Sequence, residues 1–179
     1  SVDVAKISFT GSTLTGQTIA KAAVGTMKRI SLRLSGKSAS ILLDDAHLPQ
    51  ALAQALAAAF MNNGQACVAG SRLLVPEHLL EQVVALVQAQ VASLRVGDPH
   101  DPSTDIGPLA SQAQYERIQH SIRRALAQGA RLVAGGEGRP KGLKRGYYVQ
   151  PTVFADVHSS MDIAQQEVFG PVLSILTYK

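Results

Sequence analysis

The chain has 179 residues, 46% of them hydrophobic and 4% aromatic, with a net charge of +4 and one cysteine. A chain of about this length buries roughly 70% of its unfolded surface, so it needs no disulfide, and one cysteine allows none internally; that usage fits a reducing, cytoplasmic compartment. No run of about 18 apolar residues offers a membrane span, no basic-then-apolar leader opens the chain, and so few aromatics leave little for single-stranded nucleic acid to stack on. Neither a membrane nor a nucleic acid is an expected partner.

Val4 to Phe9 alternates apolar and polar residues and reads as a strand, with nothing before it in the chain to act as partner. Thr10-Gly11-Ser12-Thr13 then leads into a helix expected to run to about Met27. Glycine and hydroxyl residues between a strand and a helix can turn N–H groups toward a phosphate, or simply cap the helix. Further on, Ser35-Gly36-Lys37-Ser38 is not a phosphate loop. That motif needs a glycine where Ser31 stands, and no long helix follows Ser38. Residues 47–64 form an alanine-rich helix, with Pro49 suited to its first turn and Asp44 and Asp45 just ahead of it.

Cys67 sits where that helix gives way to a loop, among Gly64, Ala66, Ala69, Gly70 and Ser71. Small neighbours leave room for a substrate carbonyl and a second, larger molecule. On its own the residue reads first as a buried packing cysteine. Leu73 to Pro76 is a short buried strand that the proline stops, and His78 to Leu94 is an amphipathic helix whose apolar face is core. The loop from Arg95 to Pro108 holds Asp98, His100, Asp101 and Asp105, which read as turn residues and not as metal ligands. Ser111 to Gly129 is the next helix, Ala130 to Ala134 a strand, and Gly146 to Phe154 a strand with Pro151 near its middle, hence edge or bulged. Arg139, Lys141, Lys144 and Arg145 lie among Gly and Pro and read as a solvated loop, and His47, His120 and His158 as surface residues. Strands alternating with helices imply an α/β fold, a mainly parallel sheet with helices on both faces.

Phe60 to Arg72 reads F-x-N-x-G-Q-x-C-x-A-G-S-R, and this closely resembles the nucleophile motif of the NAD(P)-dependent aldehyde dehydrogenases. Four further segments resemble the same family in the same order: Phe9-Thr10-Gly11-Ser12-Thr13; Leu32-Arg33-Leu34-Ser35-Gly36-Lys37-Ser38; Gly146 to Val153; and Gln166-Glu167-Val168-Phe169-Gly170-Pro171-Val172. The resemblance covers essentially the whole chain, although members of the family are more than twice as long. It implies that residues 1–36 are the tail of a dinucleotide-binding domain and 37–179 most of a catalytic domain. By the same resemblance Cys67 is the nucleophile. Gly11, Ser12, Thr15, Leu34, Gln114 and Arg117 fall at cofactor-side positions; Glu167 bonds the nicotinamide ribose and Phe169 packs along the nicotinamide ring. The implied reaction oxidises a small aldehyde to a carboxylic acid with NAD or NADP through a thioester. The implied assembly is a homo-oligomer or association with the missing portions of such an enzyme.

One departure bears on the chemistry. The signature L-E-L-G-G-K-S carries the family's general-base glutamate, and this chain has Arg33 there. Arginine cannot accept a proton at any useful pH. A cation near Cys67 would still favour its thiolate, and would oppose a cationic nicotinamide. Three readings therefore stand beside one another: an aldehyde dehydrogenase segment that is incomplete or inactive as this chain, a non-catalytic fragment or interaction module, and a variant that passes its acyl group to coenzyme A or phosphate.

Overall fold

Strand β1 (Lys6–Thr10) finds its partner inside the chain, pairing in parallel with β2 (Arg29–Arg33) so that Lys6 faces Arg29 and Thr10 faces Arg33. The computed structural model describes residues 1–179. They divide into two units, Ser1–Gly36 and Lys37–Lys179. In the first, helix α1 (Thr13–Val24) connects the two strands. The Ser12 hydroxyl caps it, accepting from the Thr15 amide at 3.2 Å and meeting the Thr15 hydroxyl at 2.8 Å. The helix stops at Val24, short of Met27, which takes a left-handed backbone with φ 51°. Gly16 lets helix and strand close up, since a Cβ there would lie 2.5 Å from Leu34 Cδ2.

The second unit is built on a five-stranded sheet in the order β3 (Ala39–Ile41), β4 (Arg72–Pro76), β7 (Val172–Tyr178), β6 (Thr152–Ala155), β5 (Arg131–Ala134). All pairings are parallel except β5 with β6, which is antiparallel and irregular between Leu132 and Ala134. Side chains alternate between faces along a strand, and the core divides accordingly. Leu73, Val75, Val153, Ala155, Leu173 and Ile175 meet α2 (Leu48–Phe60) and α3 (Leu80–Ala92) on one face. Phe154 and Val172 meet α4 (Gln112–Ala127) and α5 (Asp162–Gln165) on the other. Helices on both faces of a mainly parallel sheet are what the sequence predicts. Leu52, Leu73, Phe154, Ile118 and Ile122 are each fully buried, worth about 1.5–3 kcal/mol apiece.

Three further element boundaries differ from expectation. Helix α2 ends at Phe60 and not at 64, because three successive residues beyond Met61 turn left-handed. Helix α3 proper begins at Leu80, after a short turn over Glu77–Leu79. The strand expected over 146–154 starts only at Thr152, past Pro151, and it is an interior strand buried along its whole length. Proline has no N–H for a ladder, so pairing begins just after it, while the Tyr147 carbonyl accepts from the Leu109 amide at 3.0 Å.

In the 95–108 loop the acidic side chains hold turns. Asp98 accepts from the His100 amide at 2.9 Å, Asp101 from Ser103 at 2.9 Å, and Asp105 from Arg95 at 2.8 Å. Arg139 is not merely solvated, since its guanidinium carbon lies 5.0 Å from the centre of the Tyr115 ring. No helix is long and apolar enough to cross a membrane.

Candidate active site

Cys67 is exposed, so it is not a packing cysteine in this structure. The turn that carries it is built from Asn62 (φ 50°), Asn63 (φ 59°) and Gly64 (φ 71°), all left-handed. Asparagine enters that region more readily than most residues, and both asparagines also bond. Asn62 donates to the Gln65 carbonyl at 3.1 Å. Asn63 donates to the Pro108 carbonyl at 3.1 Å and accepts from the Gly107 amide at 2.8 Å. Gln65 accepts from the Ala110 amide at 3.0 Å. The turn before the thiol is thereby stitched to the loop that leads into α4.

A second loop, residues 167–171, packs against the same turn. A Cβ on Gly64 would lie 2.0 Å from the Gly170 carbonyl oxygen, and one on Gly170 would lie 2.2 Å from Ile118 Cδ1 of α4. This loop presents Glu167, half-buried, and Phe169, which is 37% exposed at a left-handed φ of 57°. A half-buried carboxylate beside an exposed aromatic suits a ribose diol and a flat ring, so these residues fit the cofactor that the sequence implies. Gln114 is buried, and its amide nitrogen donates to the carbonyls of Val168 at 3.0 Å and Phe169 at 2.8 Å. Its oxygen accepts from Arg117, which is itself exposed. The family resemblance places Gln114 at the cofactor; the structure turns its amide nitrogen onto the carbonyls of Val168 and Phe169.

Sequence reasoning missed Lys37 and Arg72 as members of this region. Arg72 donates to the Lys37 carbonyl at 2.6 Å, and its amide bonds the Ser38 carbonyl at 3.2 Å. That lays the end of the cysteine motif beside residues 37–38. Lys37 Nζ and Arg72 Nε are both buried without a hydrogen-bond partner. Burial, and then the charge of Arg72, lower the Lys37 pKa to about 8, partly opposed by the Glu167 carboxylate. The only signal in the sequence is a lysine and an arginine at the inner ends of two motifs, which says nothing of their being neighbours.

The sign of the linked pH effect follows. Below about pH 8 both folded and unfolded chains carry the ammonium, and the cost of burying it is at its full value. Between about 8 and the ordinary 10.5 the folded chain is neutral while the unfolded one keeps its proton, so stability rises with pH across that window. At about 1.4 kcal/mol per pKa unit the cost is about 3 kcal/mol. Lys37→Met is therefore expected to stabilise the chain by up to that amount near neutral pH, with the gain fading above about pH 8. Urea unfolding of both forms at neutral and alkaline pH checks it; equal midpoints throughout would show that no buried cation is being relieved.

The other sequence-predicted residues belong to the first unit. Arg33 ends β2 opposite Thr10, exposed, and its carbonyl accepts from the Gly11 amide at 3.1 Å. Ser12 and Thr15 are exposed at the start of α1, and Leu34 packs on Gly16.

A family model for the aldehyde dehydrogenases matches residues 1–179. The chain belongs to the aldehyde dehydrogenase family. It is 48% identical over 176 residues to the 3-succinoylsemialdehyde-pyridine dehydrogenase of a Pseudomonas species, covering 98% of this chain and 37% of that protein. Among solved structures it resembles a mutant of aldehyde dehydrogenase C from Pseudomonas syringae, determined with NAD+ and octanal. The TM-score is 0.98 and the identity 44%, over 99% of this chain and 37% of the other. An aldehyde dehydrogenase of Mycobacterium tuberculosis, determined with NAD+, gives a TM-score of 0.96 and 44% identity, over 100% of this aldehyde dehydrogenase segment and 37% of the other chain. The segment thus spans a little over a third of the length of the relatives it matches.

Proposed function

We propose that this segment supplies the nucleophile and the nicotinamide-side contacts of an enzyme that oxidises a small aldehyde with NAD or NADP. The observation that carries the reading is Cys67, exposed at the end of a left-handed turn fixed by Asn63 and Gln65. Residues 1–36 then serve as the tail of a dinucleotide-binding domain and 37–179 as the catalytic part. Glu167 would hold the nicotinamide ribose and Phe169 the ring. Gly11, Ser12, Thr15 and Leu34 would be further cofactor contacts. The relatives' NAD+ complexes support this cofactor class.

The Cys67 thiolate attacks the aldehyde carbon, forming a C–S bond and moving the carbonyl pair onto oxygen. When bound, the nicotinamide supplies the two-electron acceptor for the hydride of that carbon. Cys67 is left as a thioester, which splits a difficult oxidation into two easier steps. Hydrolysis needs water to lose a proton as it attacks, and Arg33, at the position of the general-base glutamate, cannot take it. That residue favours a second reading, transfer of the acyl group to coenzyme A or phosphate. The single cysteine supports a cytoplasmic setting, and the family membership supports association with further portions of such an enzyme or with a second copy.

The test places the segment in an intact enzyme of the family in exchange for the matching stretch. With an aldehyde and the cofactor present, mass spectrometry is expected to find the acyl group on Cys67, and nothing on the Cys67→Ser form. Release of the acyl group only on addition of coenzyme A or phosphate would establish the second reading. An unmodified Cys67 under turnover conditions would overturn both.

A further inference from the structure

The loop that carries Glu167 and Phe169 is held in a conformation that it would not take unaided. Phe169 is a bulky aromatic with φ 57°, a region that such residues leave unless the surroundings hold them. Its own carbonyl and that of Val168 both accept from one nitrogen, the Gln114 amide. An amide nitrogen has two hydrogens, so these two bonds use its whole donor capacity. The oxygen of the same amide faces the Arg117 guanidinium, which cannot act as an acceptor. That pairing fixes which end of the amide is the donor. The next residue, Gly170, is wedged between Ile118 of α4 and Gly64 of the turn before Cys67, with no room for a Cβ on either glycine.

We propose that Gln114, oriented by Arg117, is a positioning residue that clamps the 167–170 loop and sets the placement of Glu167 and Phe169. This is a role besides the cofactor contact that the family resemblance implies for Gln114, and its catalytic consequence rests on the function proposed above. The geometry carries it. Gln114 is 6% exposed, and every hydrogen-bonding atom of its side chain is engaged inside the protein. The clamp also links the loop to the thiol. Helix α4 is entered from the segment 107–110 that Asn63 and Gln65 hold, so the loop and the nucleophile turn are referred to one helix.

The test uses Gln114→Met, which keeps the length and removes both donors, and Arg117→Ala, a surface change that leaves the donors but frees the amide to rotate. In the chain itself, hydrogen exchange of the segment 167–171 is expected to quicken about tenfold or more in Gln114→Met and about threefold in Arg117→Ala, with β4 and β7 unchanged. In the hybrid enzyme described above, Gln114→Met is expected to raise KM for the cofactor while leaving KM for the aldehyde alone. Unchanged exchange at 167–171 together with a raised cofactor KM would mean that Gln114 contacts the cofactor directly, and would overturn the clamp. Exchange rising equally in β4 and β7 would reduce Gln114 to a general stability residue and overturn it as well. A hybrid that binds no cofactor even with Gln114 intact would count against the proposed function, while the exchange result would still decide the clamp. Arg117→Ala removes an exposed side chain, so its exchange at 167–171 decides the matter if Gln114→Met proves unstable.

Discussion

Arg33→Glu is expected to turn a single burst of reduced cofactor into steady turnover when the segment is carried in an intact enzyme of the family. With arginine in place, Cys67 still forms its thioester, so about one equivalent of reduced cofactor appears and the reaction then stalls. A general base of this kind contributes about 10²–10⁴-fold to rate, and that factor is the expected gain. Arg33→Gln separates two explanations, because it removes the positive charge without supplying a base. It is expected to leave the stall in place. The measurement is reduced cofactor against time for all three forms at a pH above the carboxylate range. If the arginine form turns over as fast as the glutamate form, another group takes the proton, and position 33 has no part in hydrolysis. Coenzyme A or phosphate added to the stalled arginine form tests acyl transfer in the same assay.

The second large effect concerns Gly64. Its φ of 71° disfavours any side chain, which costs about 1–2 kcal/mol. The added Cβ would also meet the Gly170 carbonyl oxygen at 2.0 Å, a backbone atom that cannot swing aside as a side-chain tip would. Overpacking of this kind costs a further 1–3 kcal/mol or so, so Gly64→Ala is expected to lose about 3 kcal/mol. Gly129→Ala is the control, since φ there is 93° but nothing lies within 4 Å of the new Cβ, and it should lose only the conformational part. Urea midpoints of the two variants measure the difference. Equal losses would show that the 167–171 loop yields freely, and that its contact with the nucleophile turn carries no strain.

Much of this was present in the order of residues. Alternation and apolar faces placed the strand ending at Pro76 and the helices at 78–94 and 111–129, observed at 80–92 and 112–127, because both signals are local and each element buries the face that its own period defines. The thirteen residues around Cys67 carry the family resemblance unaided, and the family match over residues 1–179 bears it out. Boundaries fared worse where backbone conformation, and not pattern, decides. Asn63-Gly64 is a turn-forming pair, but that signal alone does not specify three consecutive left-handed residues from Asn62 to Gly64. Pro151 was legible as an interruption but not as the start of an interior strand, because which strands flank β6 depends on chain segments distant in sequence.

What the sequence determined by itself was chemical identity: one thiol, an arginine in place of a carboxylate, and a carboxylate beside an aromatic near the chain's end. Only the tertiary structure decided proximity and direction. It set Lys37 against Arg72, since pairing of β3 with β4 brings residues 35 apart in sequence side by side in a buried place. It also turned Gln114 away from solvent and onto the carbonyls of Val168 and Phe169. A side chain's type limits which bonds it can make; which partner is within about 3 Å is fixed by packing of elements far apart along the chain.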